Sequence, residues 1–297
     1  MKYLNPKADL TFKRVFGEHP DLVMSLLNAL LPLEPEEEIT SVEYLVPEMV
    51  PENPLRKNSI VDVRCKDKAG RQFLVEMQMV WSPEFKQRVL FNASKAYARQ
   101  IGVGERYDLL QPVYSLNLVN DIFEPDLKGF YHHYKIVHVE HSDKIINGLQ
   151  LIFVELPKFN PHTYAEKKMM VLWLRYLTEI DEKTRKAPAE LLDNPQVNKA
   201  LNALEESAFT DAQLLGYETF WDIISRERGM QYNLENAERK ALERGLAKGL
   251  EKGLAEGKVE GKVEGIRFTA TNFKKQGITP EIIAQCTGLS IEEINAL

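Results

Sequence analysis

Cysteine is scarce in this chain: Cys65 and Cys286 are the only two among 297 residues, and they lie far apart. A disulfide framework is therefore not expected, and a reducing cytoplasm fits. No stretch approaches the roughly 18 consecutive apolar residues of a membrane span. The opening Met-Lys-Tyr-Leu-Asn-Pro-Lys lacks the apolar core of a signal peptide. An excess of positive charge is missing too. Lys and Arg number 38 against 44 Asp and Glu, a net charge of −6. That excludes a globally basic nucleic-acid binder, so any DNA contact must come from a local patch. What remains, 44% apolar and 28% charged residues, is the balance of a soluble globular chain long enough for two domains, or for one with appendages.

The most informative stretch runs from Ser59 to Trp81. Ser-Ile-Val-Asp-Val-Arg-Cys and Gln-Phe-Leu-Val-Glu-Met-Gln-Met-Val are rich in β-branched and apolar residues, with Asp67-Lys-Ala-Gly70 between them, so a hairpin is expected. Alternation puts Ile60, Asp62 and Arg64 on one face of the first arm, and Leu74, Glu76 and Gln78 on one face of the second. A turn centred on Ala69 sets Asp62 opposite Glu76, with Cβ atoms about 4.5–5.5 Å apart. Like charges so placed repel. Either the pair sits on a solvated face, or a divalent cation with hard oxygen ligands offsets it.

The segment from Pro83 to Arg106 is the clearest helix. Phe85, Val89, Ala93, Ala96, Tyr97 and Ile101 form an apolar stripe, and Arg88, Asn92, Lys95 and Arg99 a polar one. From Glu84 to Arg106 five basic residues face two acidic ones. This is the local positive patch the net charge requires, and Arg88, Asn92, Lys95 and Arg99 are the candidate DNA contacts, directed at phosphates. The competing reading is a solvated helix face. Val113–Val119, Gly129–Val139 and Leu149–Leu156 read as strands, as does Ile39–Val46 before a proline-rich connection over Pro47–Pro54. His138 and His141 would point to opposite faces of a strand, so His132, His133, His138 and His141 are taken as strand and turn residues, not zinc ligands.

An Asp on one strand followed by Glu-x-Lys on its neighbour is the core motif of the PD-(D/E)XK nuclease superfamily. The version here, Asp62 with Glu76-Met77-Gln78, resembles that of the Rpn family of recombination-promoting nucleases, also described as putative transposases. A second anchor, Asn5-Pro-Lys-Ala-Asp9-Leu-Thr-Phe12-Lys13-Arg-Val-Phe16-Gly17, is similar to that family's opening helix, and the likeness spans roughly residues 3 to 265. Arg88 and Gln100 also stand where the family pattern carries Arg and Gln. The resemblance implies an α/β, restriction-endonuclease-like core: a mixed sheet flanked by helices. It implies metal-dependent hydrolysis of DNA phosphodiesters, with Mg²⁺ (Mn²⁺ or Ca²⁺ as substitutes) on Asp62 and Glu76, and Gln78 orienting water. It also brings the opening helix beside the hairpin, so that Asp9 or Lys13 borders the site; by spacing alone, Asp9 and Lys13 are an exposed i,i+4 ion pair. Gln78 stands where the superfamily has Lys, which implies that another cation assists. No Asp-Asp-Glu recombinase arrangement accompanies the transposase label. The rival expectation is a catalytically weak nucleic-acid-binding or oligomeric interaction module that keeps the fold.

The opening segment continues as a helix over Asp21–Leu33, and Pro32 and Pro35 end it. Beyond Pro161 the text is helical: Ala165–Thr178, Pro188–Leu192, Pro195–Glu206 and Asp211–Asn233, with Trp173 and Trp221 as core. Gly245, Gly249, Gly253, Gly257, Gly261 and Gly265 then recur every fourth residue. Each glycine costs a helix about 1 kcal/mol relative to alanine, so the ladder is expected either to pack closely on a second helix, as a homodimer, or to serve as a tether. Such a line drifts by about 40° per repeat, which a partner follows only by wrapping right-handedly. The last residues hold two short capped helices, with Thr279-Pro280 and Ser290 as start signals. They resemble the first helix and turn of a helix-turn-helix, but the chain stops at Leu297 and the second helix carries Glu292 and Glu293, so a packing or oligomer-capping hairpin is expected. The expected organisation is a nuclease core over 1–160, its helical extension over 161–235, the glycine-ladder helix over 236–268 and a helical hairpin over 269–297.

Overall fold

The structure, a computed structural model, describes residues 2–49, 60–161 and 168–297. The part of the proline-rich connection over Pro47–Pro54 that follows Met49, and the start of the helix expected over Ala165–Thr178, lie outside them. The chain divides into two compact units, Met1–Arg228 and Gly229–Leu297.

The first unit is built on a mixed six-stranded sheet in the order β1-β2-β3-β4-β6-β5. β2 (Val63–Lys66) and β3 (Gln72–Gln78) are the expected hairpin. Its turn closes by a Gly70 N–H bond to the Asp67 carbonyl, and Gly70, at φ 84°, takes the left-handed position that glycine occupies without strain. The register pairs Val63 with Val75 and Cys65 with Phe73, so the turn is centred on Ala69 as expected. β3 runs parallel to β4 (Val113–Val119), and β4 parallel to β6 (His141–Glu155). β5 (Tyr131–His138) lies antiparallel on β6 at the sheet edge. β4 matches its expected bounds, whereas β1 shrinks to Glu43–Tyr44 from the Ile39–Val46 alternation. Ile39 is buried there, but its backbone N–H and carbonyl are bonded by the Asn28 side chain instead of a ladder.

Both faces of the sheet are covered. Val63, Cys65, Phe73, Val75, Leu116, Leu118, Ile152 and Val154 pack on a helical layer. That layer comprises α1 (Asp9–Phe12), a π turn over Lys13–Gly17, α2 (Pro20–Leu30), α4 (Met169–Glu179), α5 (Ala189–Asp193) and α6 (Pro195–Ala203). Trp173 is fully buried at its centre, its indole N–H donating to Ser25 and its ring 5.4 Å from that of Phe16. The other face, including Leu74, Val113 and Phe153, packs on α3 (Phe85–Ala98), which is shorter than the Pro83–Arg106 pattern.

The structure corrects the histidine geometry. His138 and His141 are not on opposite faces of one strand. They flank a two-residue turn at Val139-Glu140, pair directly across it, and hold their rings 5.0 Å apart. Among the described residues no set of three or more His, Cys, Asp or Glu could hold a metal ion.

α7 runs over Asp211–Lys275, and its first turns bury Tyr217 against Leu4, Ala8 and Phe209 in the first unit. In the second unit every ladder glycine from 245 to 265 faces open space, and Leu242, Leu246, Leu250 and Leu254 are exposed. α8 (Pro280–Thr287) and α9 (Ile291–Ala296) fold back on the end of α7, burying Ile283 and Ile294 against Ala270. They form the expected packing hairpin. No helix among the described residues is long and apolar enough to cross a membrane.

One buried ion cluster ties the far end of the sheet. Glu155 is fully buried and accepts from the Phe123 and Glu124 N–H groups, from His132 at 2.8 Å and from Lys158 at 2.5 Å. Glu155→Ala leaves these donors and the Lys158 charge uncompensated, and is expected to lower unfolding free energy in urea by about 3–5 kcal/mol. Glu155→Gln should cost less, because it keeps an acceptor.

Candidate active site

The hairpin register carries Asp62, one residue before β2, to the position opposite Glu76. This face is largely covered, with Asp62 half-buried. α3 lies across it, and Glu76 is 6% exposed. Each carboxylate is held by a particular donor: Asp62 Oδ2 accepts from the Met77 N–H at 2.7 Å, and Glu76 Oε1 from Asn92 Nδ2 at 2.9 Å. Glu76 Oε2 lies 3.7 Å from Arg88 Nη2.

These contacts do not compensate the burial. Loss of water pushes the Asp62 carboxyl up to about 6; the Met77 N–H, Lys13 and Arg88 act against that rise, and Asp9 adds to it. Burial likewise pushes Glu76 up to about 7, with Asn92 and Arg88 opposing and Asp62 adding its own charge. Two acids that share a site and are both raised lack positive charge.

The expected residues divide into four groups. Asp62 and Glu76 come together as expected. Asp9 and Lys13 form the i,i+4 ion pair, at 2.6 Å and half exposed, and both are near enough to act on Asp62. Their helix is brought beside the hairpin by the π turn, which widens at Lys13–Gly17 and sets Gly17 against Val63. The polar stripe of α3 needs correction. Asn92 is 2% exposed with its amide on Glu76, so it is a support of the carboxylate and not a phosphate contact. Lys95 reaches the Met49 carbonyl from the same flank, and Arg99 lies one turn further on.

Gln78 also differs from expectation. Its amide is engaged at both ends, donating to the Val80 carbonyl at 2.5 Å and accepting from Arg88 Nη2 at 2.6 Å. It therefore holds Arg88 and does not present a free amide to water. The cation beside the acidic pair is the guanidinium of Arg88, delivered from the helix to the place where Gln78 replaces a lysine. Sequence reasoning assigned Arg88 to phosphate contact and missed this arrangement. The available signal was Arg88 and Asn92 spaced i,i+4, which aims both at one strand face.

Among the described residues no third His, Cys, Asp or Glu joins Asp62 and Glu76 in a set of three that could hold a metal ion. A hard cation that keeps open positions for water and phosphate oxygens suits such a donor set. Its charge is what the raised carboxyls lack, so the residues fit a divalent ion held by Asp62 and Glu76. Residues 6–224 match the family described as PD-(D/E)XK nuclease family transposase. No curated protein and no solved structure matches the chain.

The raised carboxyls predict a pH dependence of stability. In the unfolded chain both ionise near pH 4, whereas in the folded chain protons are held to about pH 6 and 7. Between these values the folded state binds more protons, so stability falls as pH rises. In EDTA the Tm should drop by a few degrees between pH 5 and pH 8, on top of any general trend. Glu76→Gln should flatten that drop, and a variant that falls as steeply as wild type would contradict this.

Proposed function

The chain belongs to the PD-(D/E)XK nuclease family of transposases, and we propose that it is a DNA endonuclease that hydrolyses phosphodiester bonds with Mg²⁺ held by Asp62 and Glu76. The observation that supports this reading is the opposed pair of a buried Glu76 and a half-buried Asp62, with too little positive charge beside them. A divalent ion bound there supplies Lewis-acid polarisation of the phosphate and a water of lowered pKa. The protein's own residues prepare the place. Asn92 fixes one oxygen of Glu76, and the Met77 N–H fixes one oxygen of Asp62. Gln78 holds Arg88 so that its guanidinium offers charge and donors where an anionic phosphate meets two carboxylates. Lys13 and Asp9 border Asp62, and Lys13 is the second cation within electrostatic reach of it.

Plasmid nicking by purified protein tests this reading. Asp62→Asn and Glu76→Gln should each abolish Mg²⁺-dependent nicking while the protein stays folded. Arg88→Ala should cut the rate by about 10²-fold or more, with Arg88→Lys recovering part of it. Wild-type nicking by Asp62→Asn would put the site elsewhere, and absence of nicking by the wild type at any divalent ion would favour the interaction-module reading.

The same reading extends to the partners. Arg88, Lys95 and Arg99 share a flank of α3 and are assigned to backbone phosphates. Replacing all three with Ala should weaken DNA binding and make its salt slope shallower by about 2–3; an unchanged slope would remove this flank from the interface. The glycine ladder is assigned to pairing with a second copy, because exposed Leu246, Leu250 and Leu254 each follow a ladder glycine and line one side of the helix with it. Truncation after Asn233 should leave a folded monomer by sedimentation, whereas a monomeric full-length chain at high micromolar concentration would make the ladder a tether.

A further inference from the structure

The flank of α3 that faces away from the carboxylates carries a second feature. Residues three and four apart share a helix side, so Arg88 and Asn92 occupy one flank, while Lys86 and Leu90 occupy the other with Gln87 beside them. Under this second flank a cavity of about 210 Å³ opens between the helix and the edge of the sheet, lined by Lys86, Gln87, Leu90, Tyr134, Leu151 and Phe153. Its surface is almost wholly apolar. The rings of Tyr134 and Phe153 meet edge to face at 5.6 Å and form one corner. Leu90 is 47% and Tyr134 40% exposed at its mouth, which leaves two large side chains partly wet beside an open cavity.

The few polar groups around it are donors or can act as donors. The Lys86 ammonium stands 5.8 Å from the Tyr134 ring and 4.9 Å from that of Phe123, and is paired to Glu124. The Gln87 amide and the Tyr134 hydroxyl complete the set. Apolar and aromatic walls with a few donors at the rim suit a flat heteroaromatic ring, and the Lys86 charge is balanced by Glu124.

The position relates this cavity to the active site. In the sheet register Glu76 is level with Asn117, and Asn117 with Phe153, so Phe153 lies two strands along the same row as Glu76 and on the same α3-covered face. Two strand spacings are about 10 Å and three, to β5, about 14 Å. A DNA strand crossing the first turns of α3 meets the acidic pair on one flank and the cavity on the other, a few nucleotides apart.

Resting on the nuclease reading, we propose that this cavity receives one unstacked nucleobase of the substrate strand, next to but separate from the phosphate being cut. The preferred substrate is then single-stranded or locally unpaired DNA, because a base stacked within a duplex cannot enter. Tyr134, 40% exposed, supplies the stacking surface, buried Phe153 backs it as the floor of the cavity, Leu90 is the lip, and Gln87 and Lys86 are the donors to the base edge.

The test uses the full-length chain with Ca²⁺ and a short single-stranded oligonucleotide, moving one 2-aminopurine along it position by position. One position should show a fluorescence change well above the others, and an abasic site there should weaken binding about tenfold. Tyr134→Ala removes a wall and Leu90→Trp fills the mouth; both positions are partly exposed, so the fold should survive, and both should erase that positional signal. If the oligonucleotide binds but the signal is uniform, or persists in both variants, the cavity is not a base site and the nuclease reading stands. If neither oligonucleotide binding nor plasmid nicking is found, the nuclease reading fails and this inference falls with it.

Discussion

Two opposed carboxylates, one buried and one half-buried, are the constraint around which this protein is arranged. Asp62 and Glu76 face each other across the hairpin, and α3 closes over Glu76. Solvating them would be cheaper, yet the fold instead spends a backbone N–H, a buried asparagine and a guanidinium on them and still leaves both carboxyls well above their ordinary range. Charge burial of this kind destabilises a protein unless a counter-charge arrives. The divalent ion proposed for this pair would supply that counter-charge.

α3 organises the response by using separate sides for separate tasks. Its apolar side, Phe85, Val89, Ala93 and Ala96, anchors it to the sheet. One flank sends Asn92 and Arg88 down to Glu76, and the opposite flank roofs an aromatic-lined cavity. The first unit is thus a rigid sheet, helices behind it, and one helix in front that brings charge and shape to the same row of residues. The π turn at Lys13–Gly17 performs the corresponding service from the N-terminal side, placing Lys13 and Asp9 near Asp62.

Much of this was legible before any coordinates. The hairpin register follows from the turn residues, because a turn centred on Ala69 admits only one opposite number for Asp62. β4, the α3 apolar stripe and the capped helices at the C-terminus are local patterns with local causes. What sequence could not disclose depends on long-range closure. Covering the carboxylate face by α3 turned an expected exposed stripe into supports for Glu76. A two-residue turn brought His138 and His141 together, reversing an inference drawn from strand alternation. The Gln78 amide, expected on water, found the Val80 carbonyl and Arg88 instead. Its partner lies ten residues away on another element, and no spacing rule in a strand points to it.

The central proposal is that Asp62 and Glu76 together bind a divalent cation. Calorimetric titration of the wild-type chain with Mg²⁺ or Mn²⁺, run beside Asp62→Asn and Glu76→Gln, tests it without reference to any nucleic acid. The account predicts saturable binding to the wild type that tightens as pH rises through about 6 to 7 and that is lost in either variant. Equal binding by the wild type and both variants, or none by the wild type at pH 8, would contradict it.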